Sequence, residues 1–402
     1  MDHAAAAPVD PRVLDRMMPF FSDRFGNPSS IHSSGREPKR ALEDARASVA
    51  KLINAKRKEE VVFTSGATEA SNLGIKGVAM RLKAEGNHVV TSAIEHISVL
   101  NIMKYLQKQG FEVTFVPPTE DGLIDIGEFE RALRKDTVLA SVMFANNEIG
   151  TLQPVAEVGR LLQEKDIYFH VDAAPAAGQV PVDVQALGID LMSLSSNDMY
   201  GPKGVGALYV RDGTKIEAVG QGGGQERGLR SGSENVPGIV GFGEAAGIAR
   251  SDMSSEGARL ASLRDRLVKG MLGKVEDSSL NGHPTKRLPN NANFRFKFVE
   301  GEAMLLNLDM MGVSVSSSSP CTSKSLLPSH VLLACGIPTE EAQSAVQFTL
   351  GRWNTEAEID HVLDIMPGVI SKLRAMSPFS RENVEEMRST AGHRDDHGQC
   401  DT

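Results

Sequence analysis

The sequence predicts an α/β fold: a mostly parallel sheet covered by helices on both faces, followed by a smaller α+β domain. Two observations carry that prediction. From about Glu37 to Tyr209, short runs rich in valine and isoleucine alternate with stretches of helical spacing, and strands separated by helices of this length pair in parallel. Beyond the glycine-rich Gly220-Gln221-Gly222-Gly223-Gly224 the alternation stops, and one long helical pattern leads into a short mixture of strand and helix.

In chain order, strands are predicted at Glu60-Val61-Val62-Phe63-Thr64, His88-Val89-Val90-Thr91, Glu112-Val113-Thr114-Phe115-Val116, Val138-Leu139-Ala140-Ser141-Val142 and Ile167-Tyr168-Phe169-His170-Val171. A further strand is predicted at Ile189-Asp190-Leu191-Met192-Ser193-Leu194. Before the first of these, Leu42, Ala45, Val49, Leu52 and Ile53 share one face of a helix. A long helix from near Val236 past Arg259 towards Met271 links the domains. The smaller domain follows with a strand at Asn293-Phe294-Arg295-Phe296, a helix after Glu300 and another from Thr355 to about Leu373. Residues 381–402 are polar with no apolar period, which predicts a mobile tail.

With 402 residues, 41% of them hydrophobic and 24% charged, the chain has material for a large core and a second domain. A formal charge of -9 leaves no broad basic surface for nucleic acid. No apolar run approaches the roughly 18 residues of a membrane span, and the N-terminus lacks a secretory layout, so a cytoplasmic protein is expected. Cys321, Cys335 and Cys400 are too few and too unevenly placed for a disulfide framework or a self-contained zinc site. Cys335, inside Val331-Leu332-Leu333-Ala334-Cys335, reads as a small buried hydrophobe, and Cys400 as incidental to the tail.

The chemistry-bearing residues fall at strand ends. Thr64-Ser65-Gly66-Ala67-Thr68-Glu69 leaves a strand and opens a helix, so its N–H groups and the Thr68 hydroxyl suit a phosphate; a plain helix cap is the alternative. His170-Val171-Asp172 ends a second strand and Glu95-His96 follows a third. An acid and an imidazole thereby reach the sheet edge where such folds bind ligands.

These segments, with Phe25-Gly26-Asn27-Pro28-Ser29-Ser30-x-His32, Asn146-Asn147-Glu148-Ile149-Gly150, Gly222-Gly223-Gly224-x-Glu226-x-Gly228-x-Arg230-Ser231-Gly232 and Leu350-Gly351-Arg352, resemble the cysteine desulfurases. That family is a branch of the fold-type I pyridoxal-phosphate enzymes, and the resemblance covers nearly the whole chain. It implies a seven-stranded sheet in a large cofactor-binding domain over residues 12–255. The small domain then comprises 1–11 and 256–380 and carries the Cys321 loop. Residue by residue, it implies that Ala67, Thr68 and Ser195 hold the cofactor phosphate, with Ser233 reaching it from the other subunit of a homodimer. Asp172 pairs with the pyridine nitrogen, catalytic His96 stacks on the ring, Asn147 bonds the ring hydroxyl side and the substrate, and Arg352 clamps the carboxylate of L-cysteine. A carboxylate beside the ring nitrogen keeps it protonated, and an Arg fork matches a carboxylate bidentately. Asp172 or Arg352 as plain salt-bridge residues, and His96 as a core histidine, are the alternatives.

Ser317-Ser318-Ser319-Pro320-Cys321-Thr322-Ser323-Lys324 resembles the catalytic loop of the iron–sulfur-assembly desulfurases, whose thiolate accepts sulfur as a persulfide and delivers it to a scaffold protein. The departure from the family lies at Asp198. The family reads Ser-x-His-Lys-x-x-Gly-Pro-Lys-Gly where this chain has Ser195-Ser196-Asn197-Asp198-Met199-Tyr200-Gly201-Pro202-Lys203-Gly204, and Pro175 stands where a glutamine is usual. A carboxylate cannot form an imine, so pyridoxal phosphate is expected to be held noncovalently, with Asn197 and Asp198 lining it, or to be absent. Lys203 matches the family's second lysine and is no replacement. Asp198 reads equally as a turn cap, a partner for a basic residue filling the vacated site, or a weak proton carrier. Two functions are expected from this pattern: a desulfurase loading Cys321, or a scaffold-binding protein whose Cys321 completes a [2Fe-2S] cluster shared with its partner. Another class-V aminotransferase relative is the remoter reading.

Overall fold

The computed structural model describes residues 1–317 and 328–377. Cys321 with the rest of its loop, Cys400 and the tail at 381–402 lie outside the described residues.

Seven strands form the large sheet: β1 (Val61–Thr64), β2 (His88–Ser92), β3 (Glu112–Val116), β4 (Thr137–Met143), β5 (Tyr168–Asp172), β6 (Leu191–Ser195) and β7 (Gly206–Val210). They lie in the order β1-β7-β6-β5-β4-β2-β3. Every pairing from β6 through β5, β4 and β2 to β3 is parallel. β7 runs antiparallel to both β6 and β1, because the link from β6 to β7 is too short to hold a crossover helix. The mostly parallel, seven-stranded sheet expected from the sequence is therefore present.

Strands β1, β2, β4 and β7 are buried along their whole length, as helices on both faces require. The helix Ser33–Leu52 buries Leu42, Ala45, Val49 and Leu52 against the helix Val236–Lys274. A Cβ on Gly243 would stand 2.4 Å from the Cα of Ala45, so glycine permits this close crossing. The helix Val236–Lys274 extends for 39 residues. Its first half gives Ile239, Phe242, Ala245 and Ala246 to the core of the large sheet, and its second half gives Leu260, Leu263, Leu267 and Met271 to a separate core.

That second core lies on an antiparallel sheet of β8 (Ser278–Asn281), β9 (Asn291–Phe296), β10 (Ser316–Ser317) and β11 (Ala345–Thr349), ordered β10-β11-β9-β8. The helices Gly301–Met310 and Glu356–Met376 supply its remaining apolar side chains. Asp2 bridges to Thr349, which puts the N-terminal residues beside β11. No described helix is long and apolar enough to cross a membrane. For function, the main consequence is that Asp172 and Ser195 end neighbouring parallel strands at one sheet edge, where the turns after β1 and β2 also lie.

Candidate cofactor site

The turn after β1 is shaped for an anion. Gly66 has φ +156°, and nothing lies within 4 Å of a Cβ placed on it. On the other side, Gly206 approaches so closely that a Cβ there would meet the Gly66 Cα at 2.6 Å. The backbone is thus bare where a ligand would sit and held from behind. Glu69 fastens the turn, accepting the Ser65 N–H at 2.6 Å and the Arg230 guanidinium at 3.0 Å. Thr68 is exposed and Ala67 and Ser195 are half-buried. Ser233 is exposed on the loop that Arg230 ties back to Glu69.

Asp172 is buried at the end of β5, where its carboxylate accepts the Ala174 N–H at 3.1 Å. Burial pushes its acidity down and its pKa up, while the nearby His96 favours the ionised form. His96 is held by the Nδ1 edge of its ring, which lies 2.7 Å from Ser98 Oγ and 3.3 Å from the Ser98 N–H. Beneath the edge, His170 lies 2.9 Å from Ser141 Oγ and 2.9 Å from Ser193 Oγ, tying β4, β5 and β6 together. Its full burial lowers its pKa to about 3, so it serves as a neutral strut.

Asp198 lies in the single turn Asn197–Met199 after β6. Its carboxyl bonds the Ser195 side chain, and burial, with Asp172 as an added negative neighbour, raises its pKa to about 6. No basic side chain among the described residues pairs with it, so the alternative of a cation filling the vacated site finds no support among them. Lys203 is spent on the carbonyl of Ala7 at 2.8 Å. Asn197 Oδ1, in the same turn, is buried without a hydrogen-bond partner among the described residues. Pro175 sits half-buried in the turn after β5.

Two acids to which the sequence reading gave no role of their own brace the site. Glu95 is fully buried; Oε1 accepts the Ser92 hydroxyl at 2.6 Å and the Met143 N–H at 2.8 Å, while Oε2 has no partner among the described residues. Burial raises its pKa to about 8. Glu148, also buried, bonds the Ser329 hydroxyl and has its pKa raised by burial to about 8. His330, next to Ser329, reaches the carbonyl of Glu95 at 3.0 Å. The chain just after the undescribed loop is thereby attached to the Glu95-His96 and Asn147-Glu148 turns. Asn147 is half-buried, and its carbonyl accepts from Gln347 Nε2 at 2.6 Å. The only local signal was a single apolar neighbour each, Ile94 before Glu95 and Ile149 after Glu148.

Arg352 is already engaged. Its guanidinium bonds the buried Asp10, lies 3.5 Å from Asp252 and stacks 5.1 Å from the centre of the Tyr200 ring. Clamping a substrate carboxylate requires that carboxylate to displace one of these two. Cys335 is buried as expected, with its thiol pKa pushed up by burial to about 12.

The donor set fits most of pyridoxal phosphate: the bare Gly66 turn suits the phosphate and the buried, singly bonded Asp172 carboxylate suits a protonated ring nitrogen. At Asp198 the fit fails, since a carboxylate offers an aldehyde neither a bond nor a hydrogen.

Residues 1–362 match the aminotransferase class-V family. A cysteine desulfurase IscS 1 of Archaeoglobus fulgidus is 52% identical over 94% of this chain and 99% of its own length, and a cysteine desulfurase IscS of Dictyoglomus turgidum is 48% identical over 95% and 97%. Among solved structures, a NifS-like protein superposes with a TM-score of 0.87 at 38% identity, covering 92% of this chain and 99% of that one. A protein titled SspA in complex with cysteine superposes with a TM-score of 0.77 at 35% identity over 88% of this chain and 99% of that one.

Proposed function

Because this chain belongs to the class-V aminotransferase family, and within it to the cysteine desulfurases, we propose that it works in iron–sulfur cluster assembly through Cys321. In this reading Cys321 accepts sulfur as a persulfide and delivers it to a scaffold protein, or binds a [2Fe-2S] cluster jointly with that scaffold. The observation that carries it is the contrast at the site: the phosphate turn and Asp172 are kept, while Asp198 stands uncompensated where the family has its lysine. A thiolate handing on sulfur or ligating iron needs no imine, so the Cys321 function outlives that loss.

When bound, pyridoxal phosphate supplies an electron sink for the carbon bearing the substrate amine. The residues that would hold it are Ala67, Thr68 and Ser195 for the phosphate, Ser233 from the second subunit of a homodimer, Asp172 for the ring nitrogen, His96 for the ring and Asn147 for its hydroxyl. Arg352, released from Asp10 or Asp252, would receive the carboxylate of L-cysteine; the solved structure titled SspA in complex with cysteine supports that substrate class. The cytoplasm is the setting of this activity.

Desulfuration is tested by alanine production from L-cysteine with added cofactor. A rate no higher than that of a Cys321→Ala control is the expected result and assigns the sulfur supply to another enzyme; a rate above it restores direct desulfuration. Cluster reconstitution on a purified scaffold, with and without Cys321→Ser, tests ligation. A lower yield with the serine variant is expected, and identical yield and spectra overturn a shared cluster.

A further inference from the structure

We propose that the site selects the amine form of its cofactor, pyridoxamine 5′-phosphate, over the aldehyde, with Asp198 as the counter-ion of the ligand's aminomethyl ammonium. The inference rests on the cofactor site of the preceding section and concerns only which form that site takes.

Three observations lead to it. First, charge is unbalanced. Asp172 lies close enough to add to the raised pKa of Asp198, and no Lys or Arg among the described residues forms an ion pair with either. His96 is the basic group that faces Asp172, and the neighbouring Glu95, held above the usual carboxyl range, brings no positive charge. A ligand that offers a cation to each aspartate removes this imbalance. Pyridoxamine phosphate does so, with its protonated ring nitrogen for Asp172 and its ammonium for Asp198. The aldehyde form answers Asp172 alone and leaves Asp198 with the Ser195 hydroxyl.

Second, the turn is short of donors. Asn197 Oδ1 is buried without a partner among the described residues, directly beside Asp198 in sequence. An ammonium brings three N–H donors, whereas an aldehyde brings none. Buried acceptors left unpaired cost stability, so a donor-rich group is favoured at this end of the site.

Third, the aspartate is the shorter side chain. An aspartate carboxylate ends well short of where a lysine nitrogen extends, and the difference leaves room for a nitrogen carried by the ligand itself. Lysine and aldehyde supply one nitrogen and one carbon to join; aspartate and aminomethyl supply an anion and a cation to pair. The alteration at Asp198 then becomes a change of ligand preference, and the phosphate turn and Asp172 retain a reason to be kept. In that state the cofactor offers no carbonyl to the amine of cysteine, in keeping with a sulfur supply from elsewhere.

The test is equilibrium binding by calorimetry to the full-length, cofactor-free protein of three ligands that differ only at this position. They are pyridoxamine phosphate, pyridoxal phosphate and pyridoxine phosphate, the last carrying a neutral hydroxymethyl group. Pyridoxamine phosphate is expected to bind at least about tenfold more tightly than the other two, a difference of about 1.4 kcal/mol. Asp198→Asn should erase that preference, and Asp198→Lys should reverse it, with pyridoxal phosphate becoming covalently fixed by borohydride and visible as a mass increase. The three-ligand comparison on the unaltered protein stands even if a variant fails to fold. Aldehyde binding as tight as the amine's, or a preference that survives in Asp198→Asn, overturns the inference while leaving the cofactor site in place. Failure of all three ligands to bind overturns the cofactor site itself, and the inference with it.

Discussion

The two ends of the candidate site are built from different materials. The end shaped for an anion is backbone braced by one side chain, Glu69: the Gly66 turn and its contact with Gly206 follow from how β1 and β7 pair and how the next helix begins. The opposite end is side chain, and Asn197, Asp198 and Pro175 alter it without disturbing a strand. A cradle made by sheet geometry persists as long as the fold does, whereas a reactive group depends on one residue. The largest expected effect therefore comes from restoring the altered end. Asp198→Lys alone should give covalent cofactor attachment. Combined with Asn197→His and Pro175→Gln, it should raise alanine formation at least about 100-fold over Asp198→Lys, as placing acid–base groups does elsewhere. Equal rates for the single and triple variants would mean that the lysine alone separates this chain from an active enzyme.

A second difference separates acids that titrate late from acids that titrate early. Glu95 and Glu148, raised to about 8 by burial, hold protons in the folded protein that they release in the unfolded one. Stability from these groups is fully present below the ordinary carboxyl range and is lost as pH rises to about 8. The melting temperature should thus decline between about pH 5 and pH 8, and Glu95→Gln or Glu148→Gln should each flatten that decline. Glutamine retains an acceptor for Ser92 and Met143, or for Ser329, so the substitutions remove the titration and keep the contacts. A profile that stays as steep in both variants would place the titrating groups elsewhere.

Much of this architecture was legible in the sequence. Val-rich runs such as Val61-Val62-Phe63 and Val138-Leu139-Ala140 announced buried parallel strands, and the period from Val236 to Met271 announced the long helix. The antiparallel entry of β7 was not, since a turn's length becomes decisive only once strand order is known. In the site, Thr68, His96, Asp172 and Asp198 stood out because their motifs are contiguous. Glu148 and Ser329, Glu95 and His330, or Arg352 and Asp10 are distant in sequence and meet only through the fold. Asp10 illustrates the limit: the structure makes it the cap of the helix that starts at Pro11, and nothing local in sequence reveals the second guanidinium.

The smallest effect belongs to that residue. Asp10 caps the helix Pro11–Met17 through the Arg12 N–H at 3.0 Å, pairs with the Arg12 guanidinium at 2.8 Å and also receives Arg352. The Arg12 side chain, with Arg352 adding to it, lowers its pKa to about 2. A lowered carboxyl contributes stability that is present above the unfolded value near 4 and lost as pH falls through about 2. Asp10→Asn keeps the cap oxygen and removes the charge, so at neutral pH it should cost about 1–2 kcal/mol, seen as a melting temperature lower by a few degrees. The loss should shrink as the reference protein is acidified towards pH 2, because its own Asp10 then protonates. A deficit that stays constant over that range would show that the Asp10 contribution is packing, and that Arg352 is held by Asp252 and the face of Tyr200.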